Sequence, residues 1–258
     1  MTAAARLALH QFRYDQKTFW RNPGSVFFTV ALPLIFLLIF ATIFGNDKLE
    51  DLNDLKTTTY YVPAILTLAV VSATLQSLAI QLTVDRESGI LKRGRGTPMP
   101  SWVFFAGRVG NALVLSALML VIVPGVGKII YGVSIPWDHL PAVIVTLAIG
   151  AASFCCMGIA LTALIPNEDA APAITNVAVL PLYFLSGVFI PETEIPDGVL
   201  HVAAIFPIRH FFEAFFAAWD PTTSGAGFEW GHLAIVAGWG ALGLVLAIRY
   251  FRWTPKGT

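Results

Sequence analysis

An all-α integral membrane fold with six transmembrane helices follows from three features of the sequence. Of its 258 residues, 56% are hydrophobic and 12% charged, and the mean hydropathy is +0.72. Six mainly apolar stretches each reach the length, about 20 residues, that a helix needs to cross a hydrocarbon core of about 30 Å. Lys and Arg gather in alternate connections between those stretches. A soluble domain carries roughly twice this fraction of charge. So much apolar side chain cannot be hidden in one globule, because surface area falls too slowly with size. Spans of a β-barrel would alternate over segments of about ten residues, a pattern these stretches lack. Helix satisfies every backbone group within the span and is the remaining choice in lipid.

The elements can be justified in order. Residues 3–20 place Leu7, Phe12, Tyr14 and Phe19 among Arg6, Arg13 and Lys17, the pattern of an amphipathic helix lying in the membrane interface. Asn22, Pro23 and Gly24 end it. The first span is 25–45 and the second 61–84, joined by a polar loop at 46–59. A charged segment follows, in which 85–92 forms a short amphipathic helix before Pro98 and Pro100. Spans three, four and five are 102–127, 140–165 and 171–190. The next segment, 191–219, is apolar but broken by Pro191, Pro196, Gly198 and Pro207. Its halves, 199–205 and 211–219, are too short to cross, so it reads as a re-entrant or interfacial helical hairpin. Span six is 231–251. The chain is thus a single domain over 1–258: interface helix at 1–24, spans one to five at 25–190, external hairpin at 191–229, last span and tail at 230–258. No cleavable signal peptide is expected, since the first apolar run starts near Ser25 and is too long for a signal h-region.

Charge sets the orientation. Arg6, Arg13, Lys17, Arg21, Arg86, Lys92, Arg93, Arg95, Arg108, Arg249, Arg252 and Lys256 fall on one side, 12 of the 16 basic residues. Eleven of the 16 acidic residues lie in the opposite loops. By the positive-inside rule both termini are cytoplasmic, in the cell (inner or plasma) membrane. The net charge of zero implies no nucleic-acid partner.

Motifs for chemistry are sparse. Gly125-Val126-Gly127-Lys128 lacks the earlier glycine and following Ser or Thr of a phosphate loop, and it lies at the outer end of a span. His10, His139, His201, His210 and His232 form no His-Glu-x-x-His spacing, so no metal or cofactor is expected in this chain and no catalytic residue is assigned. Cys155 and Cys156, adjacent in an apolar stretch, read as packing residues. The spans lack the mid-membrane ionisable groups of ion-coupled transport. Gln76 and Gln81 of span two either face a substrate path or tie helices together. Phe206, Phe211, Phe212, Phe215 and Phe216 of the hairpin form an external gate, contact a lipid-like cargo, or anchor the hairpin in the interface. The 85–108 stretch is either a docking site or an ordinary charged loop.

Two stretches within that frame carry a resemblance. Asp85-Arg86-Glu87-Ser88-Gly89-Ile90-Leu91 is followed by Thr97-Pro98 and Gly107-Arg108, and Leu185-Ser186-Gly187-Val188-Phe189-Ile190-Pro191 by Pro196 and Phe206-Pro207. In their order and topology, over nearly the whole chain, these resemble the ABC-2 type permeases of ATP-binding-cassette transporters, a family of drug, lipid and polysaccharide exporters. The resemblance implies a cytoplasmic coupling helix formed by Arg86, Glu87, Ser88, Gly89, Ile90, Leu91, Lys92 and Arg93. It also implies two copies of a separate ATP-binding subunit, which carry the ATP and Mg, and a second permease chain, identical or related. Arg86, Glu87 and Lys92 would then make polar contacts with the ATPase, and Ile90 and Leu91 would anchor it. The run Lys92-Arg93-Gly94-Arg95-Gly96 departs from the acidic, leucine-rich run usual in the family, and two glycines weaken a helix by about 1 kcal/mol each. An amphiphilic small molecule or lipid is the expected cargo. The alternatives are a polysaccharide exporter, a secondary transporter and a six-helix membrane protein without transport activity.

Overall fold

A computed structural model describes residues 3–43, 48–49, 55–96, 100–190, 195–220, 222–223 and 225–255. Helix α1, Ala3–Trp20, is the amphipathic N-terminal helix. Helix α2, Pro23–Ile43, is the first span. It starts where the Asn22 side chain accepts from the Ser25 amide at 3.2 Å, with Pro23 in the first turn, where its missing N–H costs nothing. A two-residue antiparallel ladder, β1 Lys48–Leu49 with β2 Leu55–Lys56, follows. The rest of the 46–54 loop lies outside the described residues. Helix α3, Thr57–Glu87, is the second span. After it come α4 Ile90–Arg95, α5 Ser101–Tyr131, α6 Leu140–Leu161, α7 Ala170–Leu185, α8 Asp197–Ala203, α9 Pro207–Trp219 and α10 Trp230–Tyr250.

Among the described residues five helices are long and apolar enough to cross a bilayer, and the bent pair α8–α9 would make a sixth; α7, expected as the fifth span, is shorter at 16 residues. Helices α8 and α9 meet at 99°, so the expected hairpin is present as a sharply bent pair. Boundaries moved in two instructive places. Helix α3 has 31 residues, about 46 Å at 1.5 Å per residue, and includes Asp85, Arg86 and Glu87. The helix expected at 85–92 is therefore divided: a left-handed turn at Gly89 (φ 73°) separates the end of α3 from α4. Helix α7 has 16 residues and stops at Leu185 rather than running to Ile190. Gly187 (φ 78°) turns the chain, which is held by the Tyr60 hydroxyl donating to Gly187 O at 2.5 Å. Pro191, expected just beyond, lies outside the described residues.

Lipid provides no hydrophobic drive between helices, so close approach relies on small residues. Gly240 and Gly243 of α10 press on α6: a Cβ at Gly243 would stand 2.9 Å from the Met157 amide nitrogen. Gly158 of α6 meets α3 where a Cβ would lie 2.7 Å from Leu75 O. Helix α9 is sunk into the bundle with Phe211, Phe212 and Phe215 fully buried. The Phe211 ring fills the space beside Gly150 and packs edge-on against Phe154 at 5.1 Å.

The two ends of the bundle differ. At one, Phe251 and Trp253, just after α10, pack on Phe105 of α5 at 5.2 and 5.5 Å, and α1 lies along the start of α5. Both termini therefore share this end with α4, the end richest in Lys and Arg. The α8–α9 hairpin lies at the opposite end, beside the start of α10.

Candidate functional site

At the basic end a buried ion network ties three elements together. Arg108 of α5 donates from Nη2 to Asp85 Oδ2 of α3 at 2.5 Å and from Nη1 to Gln81 Oε1 at 3.3 Å. The same Nη1 lies 3.3 Å from Asp15 Oδ1 of α1, whose side chain is fully buried. Gln11 donates to that oxygen at 3.0 Å. Two glycines let α1 approach: a Cβ at Gly107 would be 2.6 Å from Gln11 Cγ, and one at Gly110 would be 3.2 Å from Phe12. Burial pushes the Asp15 carboxyl up to about 6, and Arg108 pulls it only partway back. Breaking such a buried pair by removing one partner costs about 3–5 kcal/mol. The interface helix is thus fastened to spans two and three, not merely laid on a membrane.

Beside this network stands α4. Ile90 is exposed, as are Lys92 and Arg93, while Leu91 is buried against a cluster that includes Leu78, Leu82 and Phe104. Arg93 donates to Ser88 O at 3.1 Å in an exposed bond beside the Gly89 turn. Ser88 is exposed and Gly89 half-buried. Arg86 faces inward. Its guanidinium donates to Thr162 O and Ile165 O, each at 2.8 Å, and to Glu87 at 2.6 Å, and the residue is 1% exposed. The expectation that Arg86 and Leu91 present themselves to a partner is corrected. Arg86 holds the main-chain carbonyls of Thr162 and Ile165 in the turn that follows α6, and Leu91 is core. Glu87 is drawn in alongside Arg86. Of the expected docking set, Ser88, Ile90, Lys92 and Arg93 face outward. Thr97 and Pro98 lie outside the described residues.

A second feature is a cavity of about 370 Å³ between α2, α3 and α7. Its walls combine Phe28, Leu32, Leu68 and Leu180 with a polar ladder on otherwise apolar spans. Ser72 donates to Gln76 Oε1 at 3.0 Å, and Gln76 Nε2 donates to Asn176 Oδ1 at 3.1 Å. Gln81 donates to Ser77 at 2.8 Å. Gln76 and Gln81 tie helices together, through Asn176 of α7 and Arg108 of α5, and both line this cavity. The ladder starts where α3 widens to a π-helical turn over Ser72–Gln76, a distortion frequent at functional sites. A larger recess of about 630 Å³ between α6 and α10 is lined by Met157, Leu161, Trp239 and Leu246 and has little polar surface. It suits lipid tails rather than an oriented cargo.

The hairpin phenylalanines are reassigned. Phe211 and Phe215 are 0% exposed and form the core between α9, α6 and α3, so they neither gate a path nor anchor in the interface. Phe206 stacks on Trp239 of α10 at 6.2 Å. Two residues missing from the sequence reading belong to the sites. Asn176 closes the cavity ladder, and Asp15 anchors α1. Asp15 had a signal: it is the first acidic residue of the chain and lies among four basic ones, four positions after Gln11.

The family model described as ABC-2 type transporter matches residues 10–218. The chain is 22% identical over 239 residues to "Putative transport permease YvfS" of Bacillus subtilis (strain 168), covering 92% of this chain and 94% of that protein. It is 25% identical over 153 residues to "Probable multidrug ABC transporter permease YbhR" of Escherichia coli (strain K12). That match covers 59% of this chain and 41% of the relative, so the chain spans less than half of YbhR.

Proposed function

Because the chain belongs to the ABC-2 type transporter family, we propose that it is the permease subunit of an ATP-driven exporter, powered by a separate ATP-binding subunit docked on its basic end. The Arg108 network carries this reading. It makes α1, the end of α3 and the start of α5 one mechanical unit, with α4 projecting Ile90, Lys92 and Arg93 beside it. A push on α4 passes through the Gly89 turn and the buried Leu91 into α3. That helix in turn carries the polar wall of the cavity some three turns away. Arg86 keeps the foot of α6 attached to α3, so both move together.

In this account the basic end is cytoplasmic, following the positive-inside rule. Two permease chains pair, and each binds one ATP-binding subunit, which holds the Mg and ATP and performs the hydrolysis. The cavity at Gln76 and Asn176 contributes to the cargo path. Its mix of aromatic, aliphatic and amide groups suits an amphiphilic small molecule or a lipid, with apolar walls for the body and few polar groups for orientation.

The test is reconstitution in inverted vesicles together with a candidate ATP-binding subunit that co-purifies with this chain. The expected result is accumulation of amphiphilic cargo that depends on that subunit and on hydrolysable ATP, and that Q76L reduces. Accumulation by the permease alone on an ion gradient would overturn the proposal.

A further inference from the structure

Outside the sites above, at the end of the bundle opposite α4, three side chains from two elements converge. His210 and Glu213 are one turn apart on α9, and His232 lies in the first turn of α10. His210 Nδ1 is 2.8 Å from His232 Nδ1, and His232 Nδ1 is 2.8 Å from Glu213 Oε2. One donor atom from each of the three residues falls within 4.8 Å of the others. His210 is buried, while His232 and Glu213 are half-buried, which leaves an approach from one side.

Hydrogen positions are constrained by the neighbours. His210 Nε2 is 2.8 Å from Ala204 O. A carbonyl only accepts, so that nitrogen carries the proton, and the neutral ring offers a lone pair at Nδ1. Glu213 Oε1 accepts from Arg209 Nε at 2.6 Å, and Arg209 Nη1 also donates to Leu200 O at 2.7 Å. The carboxylate is thereby held with Oε2 toward the histidines. A single proton on His232 Nδ1 would have to serve Glu213 Oε2 and His210 Nδ1 at the same distance, and could be well directed at only one.

We propose that His210 Nδ1, His232 Nδ1 and Glu213 Oε2 bind a divalent transition metal of the zinc class. Two imidazoles and a carboxylate are ligands that such ions prefer, and three protein ligands leave a fourth position for water. Metal-bound histidines nearly always donate their other N–H to a carbonyl or carboxylate, as His210 does to Ala204 O, and the bound carboxylate is itself hydrogen-bonded, as Glu213 is by Arg209. Tetrahedral donors about 2.1 Å from zinc stand roughly 3.4 Å apart, so the two short separations need to open by about 0.6 Å. The metal would clamp the hairpin to the last span. Phe206 stacked on Trp239, whose Nε1 donates to Ile205 O at 2.9 Å, already joins the same two elements.

The test uses the full chain without a histidine tag, purified in detergent and stripped with a chelator. Cobalt(II) is added and its visible ligand-field absorption followed, then zinc is titrated against it. The expected result is one equivalent per chain with a Kd on the order of 1 µM or tighter. H232A and E213Q should each weaken binding more than about 100-fold, and H10A, at the other end of the bundle, should leave it unchanged. His232 is half-exposed, so H232A should match the thermal midpoint of the stripped wild type. No stoichiometric cobalt absorption by the folded wild type would overturn the proposal and leave a proton-bridged histidine pair. Equal binding by wild type and H232A would overturn it as well.

Discussion

Replacing Arg86 with Met separates a structural role from a docking role. The guanidinium makes two 2.8 Å bonds to main-chain oxygens at the foot of α6 and one of 2.6 Å to Glu87. Hydrogen bonds from a charged donor contribute about 1.5–3 kcal/mol each, so the two carbonyl bonds alone account for about 3–6 kcal/mol before relaxation. Glu87 is 11% exposed and water reaches it more easily once Arg86 is gone, so the lower part of that range applies. A loss of about 3 kcal/mol is roughly a hundredfold in the folding equilibrium. Unfolding of the purified permease in mixed detergent micelles should show this shift, and R86Q, which can keep one carbonyl bond, should lose about half as much. Hydrogen exchange of the 160–166 amides should accelerate in R86M. Wild-type stability and exchange in R86M, together with lost binding of the ATP-binding subunit, would refute the reasoning and return Arg86 to the docking surface.

Other expectations follow from the same contacts. G158A puts a Cβ 2.7 Å from Leu75 O, a backbone atom that cannot step aside, and should destabilise by about 1–3 kcal/mol; G238A, with nothing within 4 Å, should be neutral or stabilising by up to about 1 kcal/mol in the same unfolding assay. The Asp15 carboxyl, raised by burial to about 6, binds a proton in the docked state that the unfolded chain releases near 3.9. Docking of α1 should therefore be strongest at low pH, weaken as pH rises from about 4 to 6, and level off above that. Proteolysis at Arg13 and Lys17 across this range measures it, D15N should flatten the profile, and tighter docking at high pH would contradict the assignment.

What the sequence could and could not reveal has a physical basis. Five of the spans, the interface helix and the hairpin were legible because they depend on length, apolar content and Pro and Gly placement. Facing was not. Helix α9 is amphipathic, and such a face packs equally well into a bundle or onto a membrane surface, so nothing in Phe211-Phe212-x-x-Phe215 separates a buried ring from an interface anchor. The inward turn of Arg86 depends on carbonyls 76 and 79 residues away. His210 and His232, 22 positions apart on different helices, meet only because α9 folds back beside α10. The end of α7 at Leu185 was partly legible in Ser186-Gly187, a turn that the apolar run through Ile190 obscured.

In the proposed exporter, force enters through the outward face of α4 and reaches the spans through the network beneath it. Charge reversal at Lys92 and Arg93 tests this most directly, in the permease reconstituted with its ATP-binding subunit. K92E/R93E is expected to keep the wild-type unfolding midpoint and to lose both association with that subunit and ATP-dependent export. Undiminished association and export in the double variant would contradict it.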